Sequence, residues 1–238
     1  MKKPTVILLA IGLSVFGCKQ SISEKEHSFV LREGDLLFQD LDCGPLCDAI
    51  EKVTTGYRGA NFSHLGIVAK DAAGNFVVTE ALSSGVQDTE LQTYLDRSFD
   101  AKGRPKVVVG RLKPAFGYLI PSALKQASVL KWKAYDKAFV INNEAYYCSE
   151  LIYEIFLRAN DNKPVFTLQP MTFKDPDTGV TLVAWQEYFS ELGVPIPQGK
   201  PGINPGGISR SPALTIIYAY GRAPALRERD PALRKKRR

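Results

Sequence analysis

Histidine occurs only twice in these 238 residues, and cysteine only four times. Both scarcities exclude chemistry. Two histidines cannot supply a His-rich metal cluster, and the cysteines lack the paired spacing of a structural zinc site, so no metal is expected. The chain has no phosphate-binding loop, no dinucleotide fingerprint, no paired-carboxylate glycosidase signature and no internal repeat, and no cofactor is expected. It also lacks an apolar run long enough to span a bilayer: Val6 to Phe16 is too short.

The formal charge of +6 does not mark a nucleic-acid face. Lys2 and Lys3 contribute +2, and Arg227 to Arg238 holds seven Lys/Arg against two Asp/Glu, a net +5. Taking both from +6 leaves −1 for the body, so nucleic acid is not an expected partner. The basic tail, 227–238, reads as a solvated end, with anionic headgroups or cell-wall carboxylates as the alternative contact.

The N-terminus reads as an export signal, with a basic start, an apolar core and Val15-Phe16-Gly17-Cys18 at its end. That ending resembles a bacterial lipobox, from which Phe16 departs. The resemblance implies a signal peptide over 1–17, cleavage before Cys18 and lipidation of Cys18, with 18–28 as a polar tether. An ordinary secretory signal is the alternative. Lipid chains would hold the protein at a membrane of the cell envelope without a spanning helix.

The remaining body, 29–226, has the apolar content of one globular domain. Turn residues and β-branched runs predict strands at Leu36 to Phe38, His64 to Val68, Phe76 to Leu82, Val107 to Leu112 and Thr215 to Tyr220. The second and third form a hairpin across Asp71 to Asn75. Helical spacing predicts helices over Pro45 to Thr54, Pro121 to Phe139, Tyr147 to Ala159 and Trp185 to Leu192. Pro195 to Pro212 is expected to be a long functional loop.

Cys148 stands at the head of the apolar stripe Leu151, Ile152, Ile155, Phe156 and Ala159. A cysteine there faces the unpaired N–H groups of a helix N-terminus, which favour negative charge. A thiol nucleophile needs a base and a group that orients it. His64 is the one histidine in a patterned segment, since His27 lies in the tether. Glu80, in the next strand, is the candidate orienter. Each residue has a plainer reading: Cys148 as core, His64 as structural, Glu80 as an edge carboxylate. Cys47, also near a helix start, is a rival thiol. Cys43 and Cys47 are spaced for a disulfide, because residues four apart in a helical turn have Cα atoms about 6 Å apart.

Four segments in order, Gly34-Asp35-Leu36-Leu37-Phe38-Gln39, Phe62-Ser63-His64-Leu65-Gly66-Ile67-Val68, Thr79-Glu80-Ala81 and Tyr147-Cys148-Ser149-Glu150-Leu151, resemble the permuted papain-like amidases of the YaeF/YiiX type, relatives of the NlpC-type cell-wall peptidases. Histidine precedes cysteine, the mark of the circular permutation. The resemblance implies an α+β fold with a small barrel-like antiparallel sheet packed on the cysteine helix. It implies a Cys148–His64–Glu80 triad that attacks an amide or ester carbonyl through a thioester, with the Cys148 N–H in the oxyanion hole. Gln39 and Tyr147 are candidates for the second donor. The expected substrate is a cell-wall stem peptide or a small acyl-amino compound. Lipid acyl hydrolysis or transfer, and ligand binding without catalysis, are the alternatives.

Overall fold

The computed structural model describes residues 29–221. The expected signal peptide, Cys18, the expected tether and the basic tail lie outside them. Eight strands and six helices follow in the order β1 (Leu36–Gln39), α1 (Pro45–Val53), β2 (His64–Lys70), β3 (Phe76–Leu82), β4 (Gly85–Glu90), α2 (Leu91–Leu95), β5 (Val107–Leu112), α3 (Ile120–Val129), α4 (Cys148–Ala159), β6 (Gln169–Pro170), α5 (Val183–Leu192), β7 (Pro201–Gly202), α6 (Pro205–Ser209) and β8 (Leu214–Ala219). Six strands form one antiparallel sheet in the order β4-β3-β2-β1-β5-β8.

Alternation along the strands divides the sheet's two faces. Phe38, Leu65, Ile67, Ala81 and Val108 join a core with Leu151, Ile152, Ile155 and Phe156 of α4 and Ala123 and Ala127 of α3. Burying several such side chains, each worth about 1.5–3 kcal/mol, fixes α4 against the sheet. The alternate residues His64 and Glu80 fall on the other face. A smaller aromatic core joins α1 to α5 through Ala49, Phe173, Trp185 and Phe189. Phe173 and Trp185 meet edge to face with centroids 5.0 Å apart.

The helix expected over Pro121 to Phe139 is shorter and ends at Val129. Trp132 has φ 71, in the left-handed region. Its N–H then donates to the Val86 carbonyl at 2.8 Å, and the Val86 N–H donates to the Lys133 carbonyl at 2.9 Å. Strand β4 offers unpaired edge groups, and the chain leaves the helix to bond with them. Gly85 permits this approach, since a Cβ there would meet the Lys133 oxygen at 2.6 Å. Strand β4 and helix α2 were not read from the sequence.

The stretch expected as one long loop, Pro195 to Pro212, carries β7 and α6. It is a fixed wall. The Asn204 side chain caps α6 by accepting from the Gly207 N–H at 2.7 Å, and the Ser149 hydroxyl donates to the Ile203 carbonyl at 3.0 Å.

Candidate active site

Cys148 is the first residue of α4, with Tyr147 at the N-cap. The Leu151 N–H donates to the Tyr147 carbonyl, so the helix begins there. A first-turn N–H has no acceptor within its own helix, and the Cys148 N–H is therefore free to face a ligand. The thiol is buried at 7% exposure yet lines a cavity of about 190 Å³.

His64 opens β2 and lines the same cavity. Strand β3 brings Glu80 to it. Ile67 lies opposite Thr79 and Val68 opposite Val78. One step further in that register sets Gly66 beside Glu80, so His64 reaches Glu80 diagonally. Gly66 allows the two strands their close approach, since a Cβ there would lie 2.5 Å from Val78 Cγ1. The result is a 2.6 Å contact between His64 Nε2 and Glu80 Oε2. With Nε2 held by the carboxylate, Nδ1 is the nitrogen left for the thiol.

Glu80 is fully buried and saturated. Arg97 donates to both of its oxygens, at 2.7 Å to Oε2 and 2.5 Å to Oε1, and the Thr89 hydroxyl donates to Oε1 at 2.5 Å. Burial pushes its pKa up, but the hydrogen bonds from His64 and Arg97 outweigh burial and hold it at about 2. For His64, burial opposes the charged form, while hydrogen bonding with Cys148 and Glu80 raises the pKa to about 9. The imidazole is thus held as a cation at neutral pH, between a carboxylate and a thiol.

Thr89 lies within β4, and Tyr94 and Arg97 follow it, so a strand with no apolar signal in the sequence hides all three. Arg97 lies 5.1 Å above the Tyr94 ring, and the Tyr94 hydroxyl donates to the Leu37 carbonyl at 2.8 Å. This packing holds Arg97, and through it Glu80, in place.

The two expected oxyanion donors fare differently. Gln39 is fully buried, its amide donates to the Tyr94 carbonyl at 2.8 Å, and it does not line the cavity. Tyr147 lines the cavity, and its hydroxyl accepts the Ile203 N–H at 3.1 Å. Tyr135, assigned to a helix by spacing alone, also lines the cavity. Burial, then negative charge at Cys148, pushes its pKa well up, so its hydroxyl keeps its proton beside the thiol.

Cys43 and Cys47 are joined by a disulfide with Cα atoms 5.4 Å apart, which removes Cys47 as a rival nucleophile. The disulfide pins the start of α1, whose Ile50 and Val53 line the cavity. Phe139, Met171, Phe173 and Trp185 complete an apolar wall. Among the described residues, no three His, Cys, Asp or Glu side chains are grouped to hold a metal ion.

The pattern of the permuted papain-like amidase enzymes (YaeF/YiiX, C92 family) matches residues 30–218. The chain is similar in fold to a crystal structure titled metalloprotein yiiX from Escherichia coli O157:H7, with 22% identity and a TM-score of 0.64 over 80% of this chain and 98% of that one. No curated protein matches the chain. The match over 30–218 spans both strands of the histidine–glutamate pair and the cysteine helix: the chain belongs to the permuted papain-like amidases and is a cysteine amidase or peptidase of that family.

Proposed function

We propose that Cys148, His64 and Glu80 form the catalytic unit, and that it cleaves the amide bond of a compound with an apolar acyl group. His64, a cation at neutral pH, holds the Cys148 thiolate as an ion pair and gives its proton to the leaving amine. Cys148 forms a thioester with the acyl group, and water then releases the acid. The Cys148 N–H and the Tyr135 hydroxyl are the donors for the oxyanion. Glu80 fixes the ring so that Nδ1 faces the sulfur, and Arg97 and Thr89 fix Glu80.

The observation that carries the acyl reading is the cavity wall. Ile50, Val53, Phe139, Phe173, Trp185 and Ile203 line the cavity together with uncharged polar groups such as Thr54, Gln169, Thr172 and Asn204, and His64 is the one ionisable residue besides cysteine and tyrosine among the lining side chains. A cell-wall stem peptide carries free carboxylates and amines, and this wall offers them no opposite charge. A cavity of about 150 Å³ is enough to hold a benzene molecule, and this one, mostly apolar and about 190 Å³, is somewhat larger. It suits an apolar acyl chain entering from the amide.

The same wall would accept the acyl group of a lipid ester, and this is the second reading. Incubating the protein separately with N-acyl amino acids of graded chain length, with muropeptides and with labelled phospholipid separates the cases. Release of free amino acid, rising with acyl length, is the expected result. Cleavage of muropeptides alone would overturn the acyl assignment.

We further propose that the protein is held at an envelope membrane by lipid on Cys18, a reading supported by the basic and apolar start of the chain and by the resemblance of Val15-Phe16-Gly17-Cys18 to a lipobox. Metabolic labelling with a fatty acid should mark the wild-type chain and not Cys18→Ala. Equal labelling of the two would reject the anchor.

A further inference from the structure

Phe139 has φ 55, in the left-handed region that bulky side chains avoid. Such strain persists only where the surroundings impose it, and it gathers at ligand clamps and active sites. Here the surroundings are explicit. The Asp136 carboxylate accepts the Ala138 and Val140 N–H groups, on either side of Phe139, at 2.8 and 2.5 Å. The Tyr188 hydroxyl of α5 donates to the Lys137 carbonyl at 2.8 Å. The Phe139 ring then lies among four others. It stacks on Tyr188 with centroids 5.9 Å apart, and it meets Tyr147, Trp185 and Phe189 edge to face at 5.3, 5.9 and 6.1 Å. Held in this way, it lines the cavity that contains Cys148.

Five of the side chains lining that cavity are aromatic: Tyr135, Phe139, Tyr147, Phe173 and Trp185. Neighbouring rings stand nearly perpendicular, at 86° for Phe139 and Tyr147, 87° for Phe139 and Trp185 and 88° for Phe173 and Trp185. A wall built from perpendicular rings offers both negative faces and positive edges, so an entering ring finds a partner in either orientation. An alkyl chain gains only its buried area there, and it gives up rotamer freedom on entry. Size points the same way. A cavity of about 150 Å³ holds the six carbons of benzene, and this one, at about 190 Å³, holds about eight by the same proportion. A chain of fatty-acid length would leave most of its carbons outside.

We propose that the acyl group taken by this site is aromatic, a single ring on a short arm such as phenylacetyl, and that Phe139 is the residue that selects it. The inference rests on the acyl-amide reading above and narrows it. The carbonyl carbon meets the Cys148 sulfur, and the ring packs against Phe139. The amide C–N bond is exchanged for the thioester while the amine leaves with the His64 proton. Water then replaces the sulfur and returns one proton to His64, so water is the only co-reactant. Phe139 stands away from the reacting bond and governs which acyl group is taken rather than the chemistry.

The test is hydrolysis of the phenylacetyl, octanoyl, dodecanoyl and hexadecanoyl amides of one amino acid by the full chain. Phenylacetyl and octanoyl have equal numbers of carbons, so the pair separates ring from size. Wild-type kcat/KM should favour phenylacetyl over octanoyl by about two- to tenfold, what an aromatic pair adds beyond buried area. It should not rise from octanoyl to the longer chains. Phe139→Leu and Phe139→Met keep an apolar side chain and remove the ring, and each should abolish the preference. Phe139→Tyr keeps the ring and should retain it. Each ratio is taken within one protein, so a lower folded fraction does not distort it. No preference for phenylacetyl in the wild type, or a rate that climbs to hexadecanoyl, would overturn the inference while leaving the acyl-amide reading standing. A preference unchanged in the Leu and Met variants would overturn the role of Phe139. Cleavage of none of the four amides would reject the acyl reading itself.

Discussion

His64 Nε2 stands 2.6 Å from Glu80 Oε2, and that carboxylate is itself held by Arg97 and Thr89. The pair is buried and charged, so each partner depends on the other. An unpaired charge left at such a site would cost several kcal/mol. The geometry therefore fixes both the direction of the ring and its charge.

Replacing Glu80 by Gln should lower kcat by about 10⁴-fold, the loss seen when the orienting carboxylate of a serine triad becomes an amide. KM should change far less. Because Arg97 and His64 would lose their anion, the variant should also unfold at lower temperature. Steady-state kinetics with circular dichroism melting checks both effects.

Tyr135→Phe removes one hydroxyl from the cavity wall. If that hydroxyl meets the oxyanion, kcat should fall by about 10²–10³-fold, the typical effect of deleting one such donor. Gln39→Leu should not act through the oxyanion, because the Gln39 amide is bonded to the Tyr94 carbonyl and lies outside the cavity. Its effect should appear in stability.

Stability should depend on pH in a defined window. Glu80 falls from 4.5 to about 2 on folding, so its contribution is present above pH 4.5 and lost as the pH falls toward 2. His64 rises from 6.5 to about 9, so its contribution is full below pH 6.5 and lost as the pH rises through 9. Glu150 rises from 4.5 to about 8, which also lowers stability as the pH climbs between those values. Thermal melts should peak near pH 4.5 and decline on both sides.

Reducing the Cys43–Cys47 disulfide, or replacing both residues by Ser, should cost about 2 kcal/mol, the chain-entropy value for so short a loop. The disulfide closes on the first turn of α1, and Ile50 and Val53 of that helix line the cavity. KM for an acyl substrate should therefore rise more than kcat falls. Denaturant melts and kinetics with and without reductant measure this.

The strands of β1, β2, β3 and β5 were legible because their apolar runs end at turn residues, and α4 because its stripe is periodic. The pairing of His64 with Glu80 followed from two adjacent strands in one hairpin. Strand β4 was not legible: Gly85-Val86-Gln87-Asp88-Thr89-Glu90 is mostly polar and pairs by its backbone with β3. Arg97 and Thr89 were lost with it. Tyr135 was hidden for a different reason. Apolar spacing continues past Val129, while the edge of β4 draws the chain out of the helix at Trp132. Tertiary pairing overrode local periodicity there, and only long-range contacts reveal it.

Capture of the acyl-enzyme tests the catalytic assignment most directly. The full chain is mixed with an N-acyl amino acid, quenched in acid within the first turnovers, digested and read by mass spectrometry. The account predicts an acyl adduct on the peptide carrying Cys148, formed as the amine is released and absent from Cys148→Ala, which should not turn over. Turnover by Cys148→Ala, or amine release with no adduct at Cys148 in rapidly quenched samples, would contradict it.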